Sequence, residues 1–374
     1  MAGLYIHIPF CKQRCVYCDF FSSTDGRYMS RYVDALISEI DKSRDFFKDD
    51  VLDTIYFGGG TPSLLTDSQV AMVVDKISGV WGIENVDEFT IEANPDDVTY
   101  DWMKGLRSIG VNRLSMGVQS FDDKLLRWMN RRHDAATAID AVETIYRAGV
   151  DNISVDLMFG LPGQSVEGVG RDVEMAASLP VSHISAYQLM MESERLCRMV
   201  DDGSVKLPTD DESAAMYDTI WRVLESAGFE QYEISNYARQ GRRSKHNSAY
   251  WHQVPYLGIG AGAVSFDGRQ RWSNIDNVVK YIESGDDVAS VRSVEILTRH
   301  DLYNEYLFTA LRTCEGIDLA DCRKRWGVDA VERLMLTSKK YLDADLLSNC
   351  NDMLALTRKG VFVSDGIMSD IMID

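Results

Sequence analysis

The fold is constrained most by a pattern that recurs from the N-terminus to about residue 237. A short β-branched run is followed by a polar or glycine-rich turn and then by apolar residues at helical spacing, as in Tyr32, Leu36 and Ile40. Alternation of this kind predicts a parallel sheet with helices packed outside it. The predicted strands are residues 4–10, 52–57, 88–93, 112–118, 152–158 and 182–189, with 231–235 as a candidate for a further strand.

Six or seven such units predict an α/β fold, a partial or near-complete parallel (β/α) barrel rather than a doubly wound sheet. Periodicity alone does not separate these two folds, and the barrel is favoured by the positions of the unusual residues. They follow directly after strands, at 11–18, 58–62, 92–95, 119 and 156–163. Polar residues at the carboxyl ends of parallel strands are typical of the active sites of such barrels.

Beyond residue 237 the pattern changes, and we expect two further units after a barrel domain at 1–237. Residues 238–294 form a connecting segment with a basic stretch at 239–246 and a glycine-rich apolar stretch at 257–264. Residues 295–374 read as a small α-rich C-terminal domain that closes with a turn and a strand at 356–363. A winged-helix shape is one candidate for this last domain.

Charge and hydropathy exclude several classes of partner. The chain has 39 basic and 58 acidic residues, a formal net charge of −19, which repels nucleic acid and anionic membrane surfaces. No apolar run reaches the ~18 residues that span a bilayer, and the first residues lack the basic region of a signal peptide. We therefore expect a cytoplasmic protein with no integral membrane segment and no nucleic-acid partner.

Three of the seven cysteines, Cys11, Cys15 and Cys18, crowd together directly after the first predicted strand. Without an export signal such a cluster indicates a metal site rather than disulfides. A structural zinc needs four ligands, and an ordinary [4Fe–4S] cluster takes four cysteines. Three thiolates would leave one iron open for a small molecule. Three inert thiols or an incidental zinc site are the alternatives, and the other four cysteines read as small buried hydrophobic residues.

The order C-x3-C-x2-C after an N-terminal strand resembles the signature of the radical S-adenosylmethionine (SAM) superfamily. That resemblance implies a [4Fe–4S] cluster on the three cysteines, with SAM chelating the open iron and a 5′-deoxyadenosyl radical formed when the cluster supplies an electron. The longer motifs resemble the oxygen-independent coproporphyrinogen III oxidase-like group of that superfamily over nearly the whole chain. These motifs lie at 5–20, 57–62, 91–95, 115–121, 130–131 and 156–162.

The same resemblance implies cofactor contacts at the strand ends. Tyr5 and Glu92 are the expected SAM contacts beside the cluster, and Tyr17 is expected to pack on the cluster or the adenine. A glycine turn would bring the backbone close to the methionine end of SAM, and three further residues match a second SAM pocket of the decarboxylating relatives. The turn residues are Gly59, Gly60 and Thr61, and the second set is Gln119, Arg131 and Asp156. Surface-loop acids, or a structural pair of Arg131 with an acid, are the alternatives.

Two features separate the branches of this group. The decarboxylases carry a further cysteine two residues after the third ligand, where this chain has Phe20. The haem-chaperone branch carries the motif His-Asn-x-x-Tyr-Trp, which is present here at 246–251. The resemblance therefore implies a protein that binds haem and delivers it to recipient haemoproteins, with an electron donor such as a flavodoxin-type protein or NADH. The alternatives are an oxygen-independent coproporphyrinogen III oxidase and, less well supported, a zinc or structural interaction module.

The motif region has chemistry that suits a porphyrin. An imidazole ligates haem iron, so His246 is the expected ligand and His252 its substitute. Tyr250 and Trp251 offer flat apolar surfaces. The cations of the basic stretch, Arg242, Arg243 and Lys245, are the expected partners of the propionates.

Overall fold

A computed structural model describes residues 2–47, 51–285 and 287–373 of the chain. Its main sheet contains six parallel strands separated by helices, as the alternation predicts. The strands are β1 (Ala2–Ile8), β2 (Leu52–Gly59), β3 (Glu88–Ala93), β4 (Arg113–Gln119), β5 (Asn152–Phe159) and β6 (His183–Gln188). The helices are α1 (Met29–Lys42), α2 (Asp67–Trp81), α3 (Tyr100–Ser108), α4 (Asp123–Trp128), α5 (Ala135–Arg147) and α6 (Val166–Ser178).

Local sequence signals fix where these helices begin and end. Thr66 begins α2 with a reciprocal capping box, in which its side chain accepts from the Gln69 amide and the Gln69 side chain accepts from the Thr66 amide. Gly110 and Gly149 follow α3 and α5 in the left-handed region, at φ +103° and +91°. Glycine adopts this conformation without the steric cost of a Cβ, so each helix stops and the next strand begins.

The segment after β6 departs from the predicted alternation. It contains α7 (Glu194–Asp201), α8 (Asp210–Ser226), β7 (Glu230–Gln231) and β8 (Asn236–Ala238). Of the candidate strand at 231–235, Gln231 ends β7 and residues 232–235 form the bend between β7 and β8, and β8 pairs antiparallel with β6. The buried Glu233 carboxylate explains the bend, because it accepts hydrogen bonds from the Ser235 amide and from the Asn236 side chain.

The connecting segment extends the other end of the sheet. Its elements are α9 (Lys245–Trp251), β9 (Tyr256–Ile259), β10 (Val264–Phe266), β11 (Gln270–Asn274), α10 (Val278–Ser284) and β12 (Arg292–Ile296). Strand β9 pairs parallel with β1, and β10, β11 and β12 follow antiparallel. Among the described residues the sheet runs from β12 to β7 without closing, so the fold is a partial rather than a complete barrel.

The C-terminal region has its own hydrophobic core, which includes Leu307, Leu334 and Leu354. Its elements are α11 (Arg299–Leu311), β13 (Ile317–Asp318), α12 (Leu319–Trp326), α13 (Val328–Asp343), β14 (Leu347–Cys350), β15 (Met353–Leu356), α14 (Arg358–Val361) and α15 (Ser364–Ile371). The three strands form a separate sheet in the order β13-β15-β14, and the winged-helix shape stays a prediction. Within the expected turn and strand at 356–363, residues Arg358–Val361 form helix α14, which Thr357 caps by accepting from the Gly360 amide. The domain boundaries at 237 and 294 stay predictions.

No helix in the described part of the chain is both long enough and apolar enough to cross a bilayer. The outer face of each parallel strand packs on the helices, whereas the inner faces carry polar side chains. Buried polar residues on the inner faces include Thr54, Glu88, Arg113, Ser154 and His183. The polar interior of the barrel therefore continues from the strand starts to the strand ends.

Candidate functional site

The loop after β1 carries the three cysteines and is held against the other strand ends. The Val16 amide donates to the Met129 carbonyl at 3.1 Å, and the Ser193 hydroxyl donates to the Val16 carbonyl at 2.6 Å. All three thiols are half-buried and none is in a disulfide. Two of them accept hydrogen bonds from distant segments, namely from Thr61 in the turn after β2 and from Arg131 after α4, so the loop is a structured part of the strand-end surface.

The three sulfur atoms do not form a closed site for a single ion. In the described residues, no group of three or more His, Cys, Asp and Glu side chains is arranged to hold one metal ion. A single zinc needs its ligands gathered around one point, whereas a [4Fe–4S] cube binds each thiolate at a separate corner. For these three thiols the [4Fe–4S] cluster and the zinc alternative both stay predictions.

The glycine turn after β2 packs directly against β1 and the cysteine loop. Gly59 has φ +110°, and a Cβ there would come within 2.5 Å of the His7 ring. A Cβ on Gly60 would come within 2.9 Å of the Ile8 carbonyl oxygen. Both glycines are thus required by contacts within the protein. Thr61, at the end of the turn, donates from its hydroxyl to the Cys11 sulfur at 3.4 Å.

Glu92 is an interior carboxylate that is only partly exposed, and no cation is hydrogen-bonded to it among the described residues. Its Oε1 accepts from the Tyr56 hydroxyl at 2.7 Å, and its Oε2 accepts from the Gly59 amide at 3.1 Å. Desolvation raises the pKa of Glu92 to about 7, an effect larger than the opposing hydrogen bond from Tyr56. Tyr5 stacks on Tyr56 with ring centroids 6.0 Å apart. An ammonium group of a ligand would find an unneutralised carboxylate here.

Gln119 ends β4, and Arg131, which follows α4, extends its side chain to the same strand and to the cysteine loop. Gln119 has φ +71°, a left-handed conformation that costs a non-glycine residue about 1 to 3 kcal/mol and is often found at functional sites. Arg131 donates to the Asn94 side-chain oxygen at 2.6 Å, to the Gly117 carbonyl, and to the Cys15 sulfur at 3.5 Å. Within the described residues none of its hydrogen bonds goes to a carboxylate. The alternative of a structural Arg–acid pair is therefore not what the structure shows.

Tyr17 and Asp156 complete the set of expected cofactor contacts. Tyr17 lies between two of the cysteines, and burial raises its pKa. Asp156 lies within β5 and accepts from the Ser185 hydroxyl at 2.7 Å and from the Ser115 hydroxyl at 3.4 Å. Burial also raises the pKa of Asp156. It is an interior acid, so the surface-loop alternative does not apply to it.

A cavity of about 960 Å³ joins these strand ends to the C-terminal region. The cysteine loop, the glycine turn, Glu92 and Asp156 line one part of it. Another part is lined by apolar or aromatic side chains from several elements, namely Met158, Tyr187, Met190, Tyr217, Ile234, Phe308, Val361 and Phe362. The cavity thus offers a polar, thiol-rich end and an apolar wall in one continuous space.

The motif helix α9 closes the other end of the barrel, at the starts of the strands. The Glu88 carboxylate at the start of β3 accepts from the backbone amides of Lys245 and His246, each at 2.9 Å. It thereby satisfies amides that the first turn of a helix leaves without partners. Asn247 lines the cavity. The motif therefore forms part of the barrel floor.

The geometry gives His246 no free nitrogen for iron. Its Nδ1 is hydrogen-bonded to the Thr54 hydroxyl at 2.7 Å and its Nε2 to the Tyr250 hydroxyl at 2.8 Å, and the ring is buried. His252 is exposed, and its Nδ1 is hydrogen-bonded to the Ser248 carbonyl at 2.7 Å, which leaves Nε2 available. Neither ring is among the groups that line the cavity.

The cations expected to pair with propionates are bonded to carboxylates on the outer surface instead. Arg242 pairs with Asp151 at 2.8 Å, and Lys245 pairs with Asp87 at 3.0 Å. Arg243 bridges two glutamates, Glu230 and Glu315. None of the three lines the cavity in the described part of the chain. The sequence shows that these cations lie next to the motif. It does not show that acidic residues from distant segments form ion pairs with them.

Comparison with known proteins identifies the family. Residues 5–176 match the model of the radical SAM superfamily, and residues 297–363 match the HemN C-terminal domain. The chain is 33% identical over 372 residues to a protein of Lactococcus lactis named heme chaperone HemW, covering 99% of this chain and 97% of that protein. A Bacillus subtilis protein of the same name is 34% identical, with 98% of each chain covered. The chain belongs to the HemW family.

A solved structure has the same fold as this HemW-family chain. The coproporphyrinogen III oxidase HemN of Escherichia coli superposes with a TM-score of 0.85, covering 99% of this chain and 90% of that one, at 22% identity. At that identity the likeness concerns the fold alone. The partial barrel and the C-terminal region are therefore those of the radical SAM and HemN type, as the resemblance implied.

Four arginines that line the cavity of this HemW-family chain were missed by the sequence analysis, namely Arg14, Arg113, Arg132 and Arg312. Arg113 begins β4 and is almost fully buried, and Arg312 follows α11. Arg113 does carry a signal, since a charged residue at the start of an otherwise apolar strand is unusual. Arg312 has no such signal in the sequence, because only the tertiary fold brings the C-terminal region against the barrel.

The interior Glu92 predicts a pH-dependent stability. Its folded-state pKa of about 7 lies above the ordinary glutamate value of 4.5, and one pKa unit corresponds to about 1.4 kcal/mol. The folded apoprotein therefore loses about 3 kcal/mol as the pH rises from 4.5 through 7, because the interior carboxyl must ionise. Glu92→Gln should lack this loss, so its advantage in free energy of unfolding over wild type should grow across that range.

Urea denaturation at pH 4.5, 6 and 8 would measure the effect. Glu143→Gln, on the exposed face of α5, is the matched control and should follow wild type at every pH. Parallel curves for Glu92→Gln and wild type would contradict the assignment of an unneutralised interior carboxyl.

Proposed function

We propose that this protein is a haem chaperone that binds haem and delivers it to recipient haemoproteins. The observation that carries the proposal is the likeness, over 97–98% of their lengths, to proteins named heme chaperone HemW. The His-Asn-x-x-Tyr-Trp motif at 246–251 supports it, as does the apolar wall of the cavity. A porphyrin is a flat apolar ring with carboxylates on one edge, and the cavity offers both an apolar wall and interior cations.

The second candidate is an oxygen-independent coproporphyrinogen III oxidase. The fold likeness to the Escherichia coli enzyme favours it, because the scaffold is the same over nearly the whole chain. Phe20 stands against it, since the decarboxylases have a further cysteine at that position. The Phe20 side chain is 71% exposed.

We also propose that the scaffold holds a [4Fe–4S] cluster and SAM. Cys11, Cys15 and Cys18 would bind the cluster, which supplies one-electron reduction of SAM when both are present. Glu92 fits the amino group of SAM, because its carboxylate lies in the interior without a hydrogen-bonded cation among the described residues. Arg131 donates to a ligand sulfur and keeps its buried Nε without a partner in the described residues, so it can donate to a further acceptor.

The remaining assignments concern where the protein works and with what. The cluster requires thiolates, so the proposed compartment is the reducing cytoplasm. The proposed electron donor, a flavodoxin-type protein or NADH, would reach the cluster through the cysteine loop, where Cys18 is half-buried and Phe20 is exposed. The recipients are proposed to be haemoproteins in general, with no particular one assigned.

Haem transfer separates the two candidate functions. Haem-loaded protein mixed with apomyoglobin should transfer haem at a rate that rises with the apomyoglobin concentration, because handover requires an encounter and passive release does not. Anaerobic incubation with reductant, SAM and coproporphyrinogen should yield no protoporphyrinogen. Substantial protoporphyrinogen, together with transfer independent of acceptor concentration, would contradict the chaperone assignment in favour of the oxidase.

Two alanine variants test the histidine assignments. If haem binds in the cavity, His246→Ala and His252→Ala should both leave the Soret maximum of bound haem unchanged, because neither ring lines that space. Haemin titration followed by absorbance measures both affinity and band position. A shifted band in His246→Ala would show that its hydrogen bond to Tyr250 opens on binding. A shifted band in His252→Ala would place haem on the outer surface.

A further inference from the structure

Arg113 is a buried cation without a hydrogen-bonded counter-ion. Its side chain is 1% exposed, and its Nε and Nη1 have no hydrogen-bond partner among the described residues. The nearest carboxylate, Glu88, lies 4.0 Å from Nε. That carboxylate already accepts the amides that begin α9. A guanidinium buried without partners costs several kcal/mol, so its retention indicates that something else accepts its hydrogen bonds.

Apart from Glu88, no carboxylate of the described residues lies within 4.0 Å of the Arg113 guanidinium. His183 and His246 face it from the starts of β6 and α9. The pKa of each histidine is lowered, mainly by burial and also by the positive charge of Arg113. Both rings are therefore neutral. Each is held between a hydroxyl at Nδ1 and a tyrosine at Nε2, as in the bonds of His183 to Ser154 at 2.7 Å and to Tyr232 at 2.8 Å. Glu92 and Asp156, further along the barrel, make their own hydrogen bonds elsewhere.

A second arginine with a free donor lines the same cavity. The Nη2 of Arg312 is 3.4 Å from Glu233, while its buried Nε has no partner among the described residues. Its guanidinium lies 4.8 Å from the centre of the Trp251 ring. Asn247 lines the cavity with the two arginines. The region defined by Arg113, Arg312 and Asn247 is called the arginine end of the cavity below.

We propose that the arginine end of the cavity binds the carboxylates of the tetrapyrrole, with Arg113 as the principal donor. The proposal rests on the proposed haem-binding function and adds the orientation of the ligand. Arginine presents a planar fork of N–H donors that matches a carboxylate, and such charge-assisted bonds are among the strongest in proteins. The apolar wall would receive the ring, and the propionate edge would point toward Arg113.

The test compares haemin with haemin dimethyl ester, in which both carboxylates are blocked. Wild type should bind haemin about tenfold or more tightly than the ester, as expected for a charge-assisted hydrogen bond. Arg113→Gln should bind both with similar affinity, and Arg113→Lys should keep part of the preference because it keeps the charge. Arg222→Gln, an exposed arginine of α8 paired with Asp218, is the control and should behave as wild type.

The outcomes separate this inference from the proposed function. Wild type that binds neither ligand would overturn both. If wild type bound haemin and its ester equally, only the proposal that the arginine end binds the carboxylates would be overturned. This comparison uses wild type alone, so it holds even if no Arg113 variant folds. An unchanged preference in Arg113→Gln would overturn it as well. A merely structural role of Arg113 would weaken both ligands by the same factor and leave the preference intact. Loss of the preference in Arg242→Gln instead would place the carboxylates at the outer basic stretch.

Discussion

The parallel alignment of six strands is the constraint on which the rest of the structure depends. Because all six carboxyl ends meet at one edge, the strand alignment alone brings residues from distant parts of the chain together there. Cys15 accepts a hydrogen bond from Arg131, more than a hundred residues away, and Cys11 accepts one from Thr61. The same alignment brings the strand starts together at the opposite end, where helix α9 closes the floor on the Glu88 carboxylate.

The barrel interior holds charges that have no hydrogen-bonded counter-ion among the described residues. Among the described residues Glu92 near the cysteines has no cation hydrogen-bonded to it, and the ion-pair partner of Arg113 near the floor is Glu88, 4.0 Å from Nε and too far for a hydrogen bond. Glu92 and Arg113 each lie on the inner face of a strand and line the same cavity. Interior charges without a hydrogen-bonded counter-ion lower the stability of the apoprotein and favour ligands that carry the opposite charge. An ammonium group at one end and carboxylates at the other would satisfy both.

The features that depend on local sequence could be predicted, whereas those that depend on contacts between distant segments could not. Strand 88–93 and the helix-stopping Gly110 and Gly149 follow from local periodicity and backbone preference, and the structure confirms them. The cysteine loop and the strand-end acids follow from strand order. The hairpin in place of a strand at 231–235 depends on a buried glutamate. The pairing of Arg242 with Asp151 depends on segments that meet only in three dimensions.

The central claim is that three thiolates hold a cluster with one iron left for SAM. Electron–nuclear double resonance on the reduced, anaerobically reconstituted protein tests it most directly, with SAM labelled by ¹⁵N at its amino group and ¹⁷O at its carboxylate. We predict hyperfine coupling from both labels to the cluster. A fully loaded cluster that shows coupling to neither label, or a fourth protein ligand on the last iron, would contradict the account.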